Sequence, residues 1–277
     1  MILVDAHVHI YDCFDLQHFL DSAVKNFKAE AARWGQEDDF TALLLLTETA
    51  RENWFHRLAG YAGSRSGNGT ESIGNWTFHR TNEDYSLYAQ SENSQGFFLI
   101  AGRQIVTAEN LEILALMTDR QFEDGRPLEE VIQAVKETSA IPVIPWGFGK
   151  WMGKRGAILE NILRKGKDSI LFLGDNSGRP VFLPRPSLFE FAEKKGIRVL
   201  PGSDSLPFPS ESHRVGCFGL SIHGTISREH PARDLKRILL DPKTRFQAYG
   251  NLENPYRFFR NQLTAQIVKW RYKQEWM

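Results

Sequence analysis

Short apolar runs alternate along this chain with segments whose apolar residues recur at helical spacing, a pattern that predicts strands linked by helices in a parallel α/β sheet. Met1 to Ile10 reads as a first strand. Leu16, Phe19, Leu20, Ala23, Val24 and Phe27 then line one face of a helix, and Thr41 to Thr47 reads as a buried strand ending at Glu48. Residues 63–75, rich in Gly, Ser and Asn, predict a mobile loop. Trp76 to Ile100 reads as two or three antiparallel strands around the polar turn Thr81-Asn82-Glu83-Asp84, an insertion near residues 76–101.

The second half is more regular. Phe97 to Thr107 and Leu111 to Met117 predict two strands joined by a short link, and Pro127 opens a helix running to about Ser139. The strand Ile141 to Pro145, the helix Arg155 to Lys165 and the strand Ser169 to Leu173 follow. Ser187 and Glu190 have capping-box spacing before a helix that Gly196 stops, and Ile197 to Leu200 delivers Gly202-Ser203-Asp204. About seven core strands without an internal repeat predict one TIM-like or distorted (β/α)7 barrel, a single domain over residues 1–277. An open doubly wound sheet is the runner-up, but no Gly-x-Gly-x-x-Gly follows a strand.

Charge adds little: 34 basic residues balance 34 acidic ones, so nothing electrostatic favours nucleic acid or a membrane surface as partner. No basic leader with an apolar core opens the chain and two cysteines make no disulfide framework, which gives a cytoplasmic expectation.

Chemistry enters with His7 and His9. Residues two apart in a strand project to the same side, so this pair can aim two imidazoles at one cation. In barrels the C-terminal strand ends build the active site. The polar residues at or beside predicted strand ends are His7, His9, Glu48, Gln104, Glu112, the Asp175-Asn176 pair and Asp204. His18, His56 and His79 have no partner spacing.

Asp5-Ala6-His7-Val8-His9 is similar to the first motif of the PHP (polymerase and histidinol phosphatase) superfamily. Gly202-Ser203-Asp204 resembles that superfamily's late Gly-Ser-Asp motif. Gly102-Arg103-Gln104 resembles a Gly-x-Glu motif with Gln104 in place of the bridging carboxylate. Glu112-Ile113-Leu114-Ala115-Leu116 resembles a strand that begins with histidine in the family. The family histidines expected near residues 144 and 206 are absent, and Leu206 stands at the second of these places. More distantly, the chain resembles amidohydrolase-type barrels.

The resemblance implies a metal-dependent hydrolase, phosphoesterase-like, holding one divalent ion (Zn, Mn or Fe) rather than three. His7, His9 and Asp204 are the expected ligands, with Glu48, Glu112 or Asp175 as a fourth, and Asp204 is also the candidate catalytic base. Gln104, Lys150, Lys154 and Arg155 are expected to bind a small anionic substrate, the last three from a basic loop that enters a helix. The alternative is a PHP-like pseudoenzyme, a binding or scaffold protein whose metal site has decayed and holds no ion.

Overall fold

The first strand runs Ile2–Val8 and is buried throughout. It belongs to a computed structural model that describes residues 1–37, 39–63, 72–92, 94–165 and 170–274, so most of the loop expected over 63–75 lies outside the described residues. The elements in chain order are β1 (Ile2–Val8), α1 (Leu16–Arg33), β2 (Thr41–Leu46), α2 (Trp54–Tyr61), β3 (Trp76–Arg80), β4 (Ser86–Ser91), β5 (Ser94–Ile100), β6 (Gly102–Val106) and β7 (Glu112–Leu116). They continue with α3 (Leu128–Glu137), β8 (Ile141–Pro145), α4 (Gly153–Lys165), β9 (Phe172–Asn176), α5 (Ser187–Glu193) and β10 (Val199–Gly202). A 3₁₀ turn over Pro209–Arg214 precedes β11 (Phe218–Ile222), α6 (Pro231–Leu240), β12 (Gln247–Gly250) and α7 (Pro255–Gln274).

The strands form two mixed sheets, not the closed barrel that the alternation predicts. One has seven strands in the order β12-β11-β1-β2-β5-β4-β3, the other five in the order β10-β9-β8-β7-β6. The chain leaves one sheet for the other at Ala101, where a single strand is expected. β5 pairs with β2 and β4 in the first sheet, whereas β6 pairs with β7 in the second. Two seams bring the sheets together. At one, Asp204 N donates to His7 O at 2.8 Å. At the other, Glu48 bridges Arg103.

Three apolar layers follow from this arrangement. Leu3, Val8 and Ile10 pack under α1 with Phe19, Leu20 and Phe27. Ile2, Val4 and Ala6 face Leu114, Phe172 and Leu200 of the second sheet, with Leu235 and Leu239 of α6 completing that layer. The outer face of the second sheet is covered by Val131 and Val135 of α3, Leu159 of α4 and Phe189 of α5. The helix at Ser187 starts on Pro186 without a side-chain cap, so the capping box does not form. α4 begins at Gly153, which places Lys154 and Arg155 in its first turn. No described helix is long and apolar enough to cross a membrane.

Candidate metal centre

β1 places its histidines by departing from regular alternation. Its pairing with β2 shifts register between Asp5 and Val8. Such a bulge re-aims the side chains that follow it. Ile2, Val4 and Ala6 point between the sheets, and beyond the shift Val8 and Ile10 point to α1. His7 and His9 are thereby turned toward the second sheet, where Gln104 Oε1 lies 3.3 Å from His7 Nε2.

β10 brings the third group. Gly202 lies against the His7 backbone, where a Cβ would fall 2.3 Å from His7 N. Glycine is required there by close approach. Asp204 follows with a left-handed backbone, φ +48°. Asn176 Nδ2 donates to Asp204 Oδ2 at 2.8 Å and to the Trp146 carbonyl at 2.9 Å, leaving Asp204 Oδ1 toward the histidines. Asp5 ties the seam from behind: its carboxylate accepts from Ser203 N and Gly216 N at 2.8 Å each and from His7 N at 3.3 Å. Burial raises Asp5 to about 7 against the pull of these donors.

His7 Nε2 and His9 Nε2 are 3.1 Å apart. Asp204 Oδ1 lies 3.4 Å from the first and 3.9 Å from the second. Three ligands on one cation at bonds of about 2.0–2.2 Å have edges of about 3.3–3.6 Å in a tetrahedral site. The observed edges of 3.1, 3.4 and 3.9 Å bracket that range, and these three residues are the group of metal-capable side chains found together among the described residues. The histidines are buried while the Asp204 side chain is 27% exposed, so the triangle is reached from solvent on the aspartate side.

Electrostatics separate the two imidazoles. Burial drives His7 below its ordinary value, with the neighbouring His9 adding to the effect and Asp204 opposing it. Burial also opposes charge on His9, but Glu52 and Asp204 outweigh it and the net shift is upward. Glu52 Oε2 is 3.5 Å from His9 Nδ1, a buried nitrogen with no hydrogen-bond partner of good geometry, so the pair is an electrostatic contact. With Glu52 on Nδ1, the proton favours that nitrogen and Nε2 keeps its lone pair for a cation. The donor set, two imidazole nitrogens and a carboxylate oxygen, fits a divalent transition metal. Tyr11 stacks on His9 with ring centroids 5.4 Å apart. Burial, then the Asp204, Glu52 and Glu112 carboxylates, keep its hydroxyl protonated.

Other expected ligands are occupied elsewhere. Glu48 accepts from Phe55 N at 2.6 Å and from Arg103 Nη1 at 2.8 Å. Asp175 is held by both arms of Arg179, at 2.9 and 2.8 Å. Strand alternation is the cause: Asp175 and its neighbour Asn176 face opposite sides of β9, and Asn176 is the one turned to the metal triangle. Glu112 does reach the same end of the sheets, because β7 runs antiparallel to both β6 and β8. Its carboxylate acts on His7 and His9 through space but pairs with Lys150 instead of joining the triangle. Arg155 donates to the Gly149 carbonyl at 2.9 Å, and Lys154 is exposed.

Glu52 and Tyr11 are the groups the sequence did not single out, and Asn176 was noted only as the neighbour of Asp175. Tyr11 extends the period of two from His7 and His9, a signal that was available; Glu52 carries none. Truncating Asn176 to alanine is expected to weaken metal binding about 10- to 100-fold by freeing the Asp204 carboxylate. A metal titration checks this, and unchanged affinity would remove Asn176 from the site.

No family model matches the chain, and no curated protein matches it in sequence. Among solved structures, PsfC from Pseudomonas syringae PB-5123 superposes with a TM-score of 0.55 at 14% identity, over 99% of this chain and 98% of that one. The chain shares the fold of PsfC. The lesion-specific endonuclease PfuEndoQ from Pyrococcus furiosus gives a TM-score of 0.47 at 13% identity, over 90% of this chain and 58% of that one. Endonuclease Q in complex with a 27-mer duplex bearing an abasic lesion gives 0.47 at 11%, over 86% and 56%. The likeness to PsfC is one of fold alone; the chemistry of this chain rests on its own residues.

Proposed function

We propose that this protein is a divergent PHP-like hydrolase that holds one divalent metal ion on His7, His9 and Asp204 and opens a phosphoester or related bond in a small anionic substrate. The observation that carries this is the triangle of Nε2, Nε2 and Oδ1 atoms, sized for one cation and open on one side. The motif resemblance around residues 5–9 and 202–204 supports the phosphoester class. A bound divalent ion supplies Lewis acidity, polarising a substrate oxygen and lowering the pKa of water.

The chain's own groups do the rest. Asp204 is the carboxylate placed to take a proton from water, with Asn176 fixing its Oδ2. The Tyr11 ring stacks on His9 and holds that imidazole in place. Gln104 offers an uncharged amide beside His7, which lacks the negative charge that a second cation needs nearby. Lys150 is paired with Glu112, so Lys154 and Arg155 at the start of α4 are the charges of this loop without a carboxylate partner among the described residues, offered to an anionic substrate.

Metal-stripped protein assayed on aryl phosphomonoesters and diesters should gain hydrolysis on adding zinc, manganese or iron(II) and lose it to chelator. Hydrolysis indifferent to metal would overturn the proposed role of the triangle. Metal binding without hydrolysis of any such ester would replace the enzyme by a binding protein.

A further inference from the structure

A second cluster of charge lies at the end of the second sheet away from the histidines. β7 runs antiparallel to β8, so the turn after β7 and the residues just before β8 meet there, and α6 packs alongside. They enclose a crevice of about 340 Å³ whose lining includes Arg120, Arg233 and Lys236, with Asp119, Thr118 and Tyr85 beside them.

The residues lining this crevice carry three positive charges against one negative, with the Asp234 carboxylate close to Arg233 behind them. Elsewhere arginines are paired with carboxylates, as with Arg103 on Glu48, Arg179 on Asp175 and Arg185 on Glu193. Arg120 and Arg233 make no ion pair among the described residues, and Lys236 has only the Ser139 carbonyl. The nearby carboxylate of Glu83 is spent on the first N–H groups of α6, accepting from Ala232 N at 2.9 Å and Arg233 N at 2.8 Å. Asp119 alone among the lining residues carries negative charge. Three cations facing one concavity repel one another, and a multivalent anion between them removes that repulsion. Burial pushes Lys236 below its ordinary value. Burial likewise keeps the Tyr85 hydroxyl protonated as a donor. The backbone at both edges is held in the left-handed region without glycine, at Met117 (φ +66°) and Ser139 (φ +62°). Such conformations persist where surrounding structure enforces them.

We infer that this crevice is a binding site for a phosphate group, separate from the metal centre, with Arg120, Arg233 and Lys236 supplying charge-assisted hydrogen bonds. The volume exceeds what a bare phosphate fills, which favours a phosphate carried on a small molecule.

The test is calorimetric titration of the full chain in chelator, so that no metal contributes, with inorganic phosphate and glycerol 3-phosphate as separate arms. Saturable binding of either is expected, tighter for the ester if the phosphate is carried, and absent with chloride at equal ionic strength. The double variant Arg233→Ala/Lys236→Ala, two alanines in a helix that tolerates them, should weaken it about 10- to 100-fold. His7→Ala should leave it unchanged. Absence of binding overturns the inference, as does binding that survives the double variant or is lost in His7→Ala.

Discussion

Replacing Gly202 by alanine is expected to destabilise the protein by roughly 3 kcal/mol and to abolish the metal site in the same step. The added Cβ would meet His7 N at 2.3 Å, His7 Cβ at 2.5 Å and His7 Cα at 2.8 Å. Two of these are backbone atoms in a buried strand and cannot swing aside, so β10 must withdraw from β1. Withdrawal breaks the bond from Asp204 N to His7 O and the bond from Ser203 N to Asp5. It also pulls Asp204 Oδ1 out of reach of the two imidazoles. Urea unfolding and a metal titration on the same preparation read both effects. Wild-type stability in this variant would mean that the seam is looser than the contacts imply, and retained affinity would mean that the site does not depend on it.

Asp204→Asn should lower any metal-dependent hydrolysis by roughly 10²–10⁴-fold while leaving the fold intact, the loss expected when a placed proton acceptor is neutralised. Asparagine is at home in the left-handed conformation that residue 204 adopts, so the backbone is not strained by the change. Asp204, Glu52 and Glu112 all bear on His9 and Tyr11, and removing one negative charge from three that converge should hold or raise the stability of the metal-free protein. Unchanged turnover on an identified substrate would exclude Asp204 from the chemistry.

How much of this was legible in the sequence differs from residue to residue. Apolar runs located β1, β2, β7 and β8 closely, because buried strands must be apolar whatever they pair with. They did not say which ladder each strand joins. Phe97 to Thr107 is continuous as a pattern, yet the chain changes sheets at Ala101 and the expected barrel becomes two sheets meeting at seams. Hydrogen-bond partners are a property of tertiary register, which periodicity does not carry.

The site shows the same division. His-x-His and Gly-Ser-Asp marked three groups that the structure brings together, but plain alternation would have turned His7 and His9 away from the layer that Ile2, Val4 and Ala6 face. The register shift after Asp5 reverses that, and nothing in Asp5-Ala6-His7-Val8 announces a bulge. Asp175 and Asn176 show how a phase of one residue decides a role: the acidic neighbour looked like the ligand, and the amide is the one that reaches Asp204. Glu52 lies beyond the end of β2, where only the folded chain brings it to His9.

The most direct measurement of the central claim is the metal content of the protein after dialysis against zinc or manganese and removal of loosely bound ion, read by elemental analysis beside His7→Ala/His9→Ala. About one ion per chain in the wild type and essentially none in the double variant is the predicted result. No ion in the wild type, several per chain, or an ion that persists without the two histidines would contradict a single centre on His7, His9 and Asp204.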